Sequence, residues 1–147
     1  MKNYFKSFVL FGILAGLLFS SCGKYDEGPN FSLRSKKSRM VNTWFLDEII
    51  QDGNDITQRF NDDYPNFLTD LRKDNTIVTT YYDKAVGAMV KRIGKWKFSK
   101  DKEELIITYD DRPGEESKEK IIRLMNDELW TELDYGITKF EFHFKPK

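Results

Sequence analysis

Catalysis by side chains needs a nucleophile, a base or a set of metal ligands brought together, and this chain supplies few such groups. It has one histidine, His143, and one cysteine, Cys22, the latter directly after an N-terminal leader. Cys/His nucleophilic catalysis therefore has no material, and no Gly-x-Ser-x-Gly elbow offers a serine instead. No ligand spacing of the zinc type occurs either. His143 sits at strand spacing among outward charges and reads as a surface group. Carboxylates are plentiful in Asp52/Asp55, Asp62/Asp63, Asp110/Asp111 and Glu115/Glu116. None of these runs has the calcium-loop spacing with its central glycine, so they read as solvated loop charge. The sequence is not that of an enzyme, and it calls for no metal and no cofactor.

Binding is better supplied. Trp44, Tyr81, Trp96, Phe98, Phe140 and Phe142 fall at alternate positions of strand-like segments, where period-two patterning puts one face inward. Glu48 has the same parity, between Leu46 and Ile50. A buried unpaired carboxylate is costly, so Glu48 is expected to meet a basic partner, sit at a wet mouth or contact a ligand. Together these seven residues form the candidate ligand-binding set. Aromatic walls would desolvate a small molecule, and one or two polar groups would orient it.

The elements that must position these residues are strands. Aromatic residues make up 15% of the chain, a composition that favours strands over helices. Strand-length segments run from Trp44 to Ile50, Asn66 to Leu71, Thr76 to Tyr82, Met89 to Phe98, Leu105 to Tyr109, Lys120 to Met125, Glu128 to Leu133 and Ile137 to Lys145. Turn signals separate them, among them Asp52-Gly53, Lys73-Asp74-Asn75 and Asn126-Asp127. Residues Asn54 to Pro65 read as a loop or short helix capping one end, and Gly94 inside its segment suggests a bulge or bend. The last segment alternates most plainly, with Phe140, Phe142 and Phe144 on one face and Lys139, Glu141, His143 and Lys145 on the other. Eight short antiparallel strands joined by hairpins can remove their exposed edges by closing into a barrel. The expected fold is therefore all-β, an eight-stranded antiparallel up-and-down barrel. Parity puts Trp44, Leu46, Ile50, Leu71, Tyr81, Trp96, Phe98, Leu105, Ile107, Ile122, Leu124, Phe140 and Phe142 inside it.

Residues 1–21 have the layout of a secretory signal: Lys2 and Lys6, an apolar run from Phe8 to Phe19, then Ser20-Ser21 before Cys22. The apolar run is shorter than the roughly 20 residues a spanning helix needs. Gly23 to Ser38 is polar and reads as a flexible tether, residues 22–38, ending in a helical turn before Met40. Residues 39–147 then form a single barrel domain. The chain carries 24 basic and 24 acidic residues, and without the two leader lysines the balance is 22 against 24, a formal charge of −2. Such a balance leaves no footprint for nucleic acid. With Cys22 the only cysteine, the fold is held without an internal disulfide. A monomer is expected.

Two resemblances sharpen these expectations. Leu18-Phe19-Ser20-Ser21-Cys22 resembles the lipobox of Gram-negative bacterial lipoproteins, although Phe19 stands where Leu, Val or Ala is usual. It implies a diacylglycerol thioether on Cys22, an acylated amino terminus, and attachment to the outer membrane through acyl chains worth roughly 0.8 kcal/mol per buried methylene. Gly23-Lys24-Tyr25-Asp26-Glu27 looks like a Lys-plus-acidic surface-export signal, which leaves cell-surface and periplasm-facing placements both open. Further on, Thr43-Trp44, Lys73-Asp74-Asn75-Thr76, Gly94-Lys95-Trp96-Lys97-Phe98 and Asn126-Asp127-Glu128-Leu129-Trp130 resemble the lipocalin-like domains of small bacterial lipoproteins over residues 39–147. Asn75 replaces the usual turn glycine and tolerates the left-handed conformation. This likeness implies a calycin-type barrel with a cavity for a small hydrophobic or amphipathic molecule. The alternative is an envelope interaction protein whose loops, Asn54 to Pro65 and Asp110 to Glu116, contact a protein or glycan on a barrel that is only a scaffold.

Overall fold

The computed structural model describes residues 33–147, and within them the hairpin pattern closes on itself. A short helix α1 (Lys36–Met40) leads into β1 (Asn42–Gln51), followed by a two-residue strand β2 (Asn54–Asp55) and helix α2 (Thr57–Asp63). Seven strands follow: β3 (Leu68–Leu71), β4 (Thr76–Asp83), β5 (Ala88–Phe98), β6 (Glu104–Tyr109), β7 (Glu116–Leu124), β8 (Leu129–Asp134) and β9 (Lys139–Pro146). Every pairing is antiparallel, each strand from β3 onward pairs with the next, and β9 returns to β1. Eight strands therefore close the antiparallel up-and-down barrel expected from the sequence, with β2 a hairpin appendage on β1. Closure leaves no unpaired barrel edge.

The turn chemistry explains the register. Asp52 and Gly53, with φ of 49° and 80°, form the two-residue connection from β1 to β2. Both central residues need the left-handed region there, which Asp tolerates and Gly adopts freely. Asn75, at φ 66°, does the same between β3 and β4, so the turn survives without a glycine. Gly94 departs from expectation. Pairing runs through it without a break, from Ile77 on β4 to Tyr109 on β6, so it makes no bulge. Its role is close approach: a Cβ there would lie 2.1 Å from the Thr108 carbonyl oxygen.

Two bulges do occur, elsewhere. One lies in β1 opposite β9, between Leu46 and Glu48, and makes Asp47 the extra residue. The other lies in β7 opposite β8, between Ile121 and Arg123. An extra residue reverses the inward and outward sense of everything after it. Hence Ile49, not Ile50, and Ile121, not Ile122, are the fully buried residues at these points. The same shift carries Glu48 to the outer wall.

Strand directions give the barrel two poles. At one, α1 plugs the end: Ser35 Oγ accepts the Ser38 amide as its N-cap, Met40 is fully buried, and the Met40 carbonyl accepts the Trp44 indole N–H at 2.9 Å. Burying such a methionine contributes about 1.5–3 kcal/mol. Arg39 Nη1 donates to the Leu124 carbonyl at 2.9 Å, joining the plug to the end of β7. The helical turn expected before Met40 is thus this helix, which takes in residues 36–38 at the end of the tether. At the other pole α2 leans over the rim, where Phe60, Tyr64, Phe67 and Tyr81 form a contiguous ring cluster with centroid spacings of 5.1–5.7 Å.

Candidate functional site

Between the plug and the rim the barrel is not filled. A cavity of about 110 Å³ is lined by Trp44, Phe67, Thr69, Leu71, Ile77, Leu105, Ile107, Tyr109, Glu119, Leu129, Phe142 and Phe144. Nearly all of this wall is apolar. Its volume is of the order of the ~150 Å³ apolar cavity that accepts a benzene ring. A more polar recess of about 440 Å³ lies at the rim pole between the β6–β7 and β8–β9 connections and shares Ile107 and Tyr109 with the cavity. The two spaces meet at Tyr109.

Polar groups on the wall are few and connected. Thr69 and Thr79 hydroxyls lie 3.4 Å apart, and Thr79 Oγ1 is 2.8 Å from the Tyr109 hydroxyl. Burial pushes the Tyr109 phenol above its ordinary range. The Arg92 guanidinium lies over the Tyr109 ring, 3.8 Å from its centroid, where the cation meets the negative face of the π system. Asp111 holds Arg92 there through two hydrogen bonds of 2.9 Å. That bidentate contact keeps the Asp111 carboxyl below its usual range.

The carboxyl inside the barrel is Glu119. It projects from β7 into the cavity with the parity of Ser117 and Ile121, and Thr131 on β8 donates to it at 2.7 Å. Desolvation raises its pKa, and the Thr131 hydroxyl only partly offsets the rise. Among the described residues no basic side chain lines the cavity. Glu119 is partly buried on β7, with its side chain on the cavity wall. The sequence reading placed residues up to Glu116 in an acidic loop and began the strand at Lys120. The missed signal is the alternation Ser117, Lys118, Glu119, Lys120, Ile121, a strand pattern with an acid on its inward side.

The seven sequence-assigned residues divide among five places. Trp44 and Phe142 line the cavity. Tyr81 stacks on Phe67 at the rim, at 5.7 Å, and Phe140 stacks on Phe142 above the cavity, at 6.2 Å. Trp96 and Phe98 pack edge to face toward the plugged pole, with the Trp96 indole N–H donating to the Arg72 carbonyl at 3.1 Å. Glu48 is on the outside, a correction that follows from the Asp47 bulge. There it lies 2.6 Å from His143 Nδ1, while Glu141 lies 2.5 Å from Nε2. The imidazole stacks on Trp130 at 4.1 Å, and only 12% of its side chain is exposed. This outward histidine is therefore walled in by its neighbours. Among the described residues, no group of three or more His, Cys, Asp or Glu side chains is placed to hold a metal ion. Cys22 lies outside the described residues.

No family model and no curated protein matches the sequence. Among solved structures, a bovine odorant binding protein in complex with a selenium-containing odorant is similar, with a TM-score of 0.49 and 13% identity, covering 80% of this chain and 76% of that one.

Proposed function

We propose that this protein binds a small hydrophobic or amphipathic molecule inside its barrel, on a chain that Cys22 tethers to the outer membrane. The observation that carries the binding reading is the cavity itself: an unfilled apolar space with one carboxyl on its wall, inside an otherwise packed core. Protein interiors seldom leave such volume empty, because unfilled space forfeits packing contacts. A ligand would be desolvated by Trp44, Phe67, Phe142 and Phe144 and reached from the rim recess past Tyr109. The membrane part rests on the lipobox-like run ending at Cys22.

Trp44 is a built-in reporter. It lines the cavity, whereas Trp96 packs toward the plug and Trp130 lies on the outer wall. Titration with ethylbenzene is expected to change the intrinsic fluorescence of the wild type and of Trp96→Phe, but not of Trp44→Phe. Native mass spectrometry should show one bound molecule per chain. No fluorescence change and no bound species would overturn the reading. For the anchor, intact mass of membrane-extracted protein should show acyl additions on Cys22, and an unmodified Cys22 would remove it.

A further inference from the structure

An acid on an apolar wall with no base nearby is an incomplete arrangement, and its completion specifies a ligand. Ionising Glu119 in the free barrel would leave a carboxylate on an apolar wall, with the Thr131 hydroxyl donating to it. An anionic ligand gains nothing here, since it would face this acid with no cation on the cavity wall. A neutral hydrocarbon fills the space but leaves Glu119 unanswered. A ligand ammonium answers it, and Trp44, Phe67, Tyr109 and Phe142 line the same space, aromatic groups of the kind that attract a cation. We propose that the barrel selects a small primary amine with an apolar body, its nitrogen paired with Glu119 and its body against the aromatic wall. This deepens the ligand-binding reading and rests on it.

The proton balance is simple. A free amine entering the cavity takes the Glu119 proton, and an ammonium–carboxylate pair forms with no net exchange with solvent. An amine entering already protonated displaces that proton to water. Charge-assisted hydrogen bonds of this kind are about twice as strong as neutral ones, and more so where water is excluded. The carboxyl is raised in pKa by burial in the absence of ligand, which agrees with a site awaiting its counter-ion.

Three probes of nearly one shape test the inference on the full-length chain: benzylamine, ethylbenzene and phenylacetate, by calorimetry or Trp44 fluorescence. Benzylamine is expected to bind at least about tenfold more tightly than ethylbenzene, with phenylacetate weakest. Glu119→Gln should abolish the amine preference, bringing benzylamine affinity down to that of ethylbenzene measured on the same variant. The ranking of the three probes on wild-type protein tests the inference even if that variant fails to fold. Ethylbenzene binding as tightly as benzylamine, or phenylacetate binding best, overturns the amine while the container survives. Absence of binding by all three overturns the container reading, and the amine with it.

Discussion

At the scale of single residues, the burial of Glu119 has a definite pH signature. Below the ordinary glutamate value near 4.5 the carboxyl is protonated in folded and unfolded chains alike, and pH has no leverage through it. As pH climbs past that value the unfolded chain ionises while the buried carboxyl holds its proton. The folded state then binds more protons than the unfolded state, so stability falls with rising pH until the folded carboxyl also ionises. Glu119→Gln keeps an acceptor for Thr131 and removes the titration. The melting temperature of the variant relative to wild type is therefore expected to rise steadily from about pH 4.5. A difference independent of pH, measured by thermal unfolding across that range, would contradict the burial of this carboxyl.

At the scale of elements, the barrel was legible and its interruptions were not. Strand number, strand order and most of the inward set follow from alternation, because a half-buried strand has to place every second side chain inside. Parity is a running count, however, and one inserted residue resets it. Asp47 and the bulge beside Ile122 carry no composition signal of their own, so Ile50, Glu48 and Ile122 were all assigned to the wrong wall. The start of β7 was hidden for another reason: Glu116, Lys118 and Lys120 make its solvent face as charged as a loop. The stretch after β2, read as loop or short helix, became α2 because Phe60 and Tyr64 find aromatic partners across the rim. Gly94 stands out in the sequence, but the bulge it suggests does not occur. Since a methyl group there would collide with the backbone of β6, Gly94→Ala is expected to cost about 3 kcal/mol, read as a lowered denaturant midpoint. A wild-type midpoint would mean that β5 and β6 lie further apart than they do here.

At the scale of the whole molecule, stability depends on closing a circle of strands with no disulfide among the described residues, where no cysteine occurs. The seam between β1 and β9 joins segments almost a domain length apart in sequence, so loop-closure entropy has to be met before the circle gains from its own pairing. A chain stopped before Lys139 would expose two long edges and the face of the cavity. It is expected to lose cooperative thermal unfolding and near-ultraviolet circular dichroism together; retention of both would show that the seam is dispensable. The pole that α1 plugs is also where β9 finishes: Pro146 pairs with Trp44, and the Lys147 amide donates to the Thr43 carbonyl at 2.9 Å. Both chain ends of the described barrel therefore emerge on one side, and the recess above Tyr109 opens on the other. Like a cup fixed by its base, the protein can be held by either end, on a lipid, a resin or a fusion partner, with its rim turned toward whatever is delivered to it.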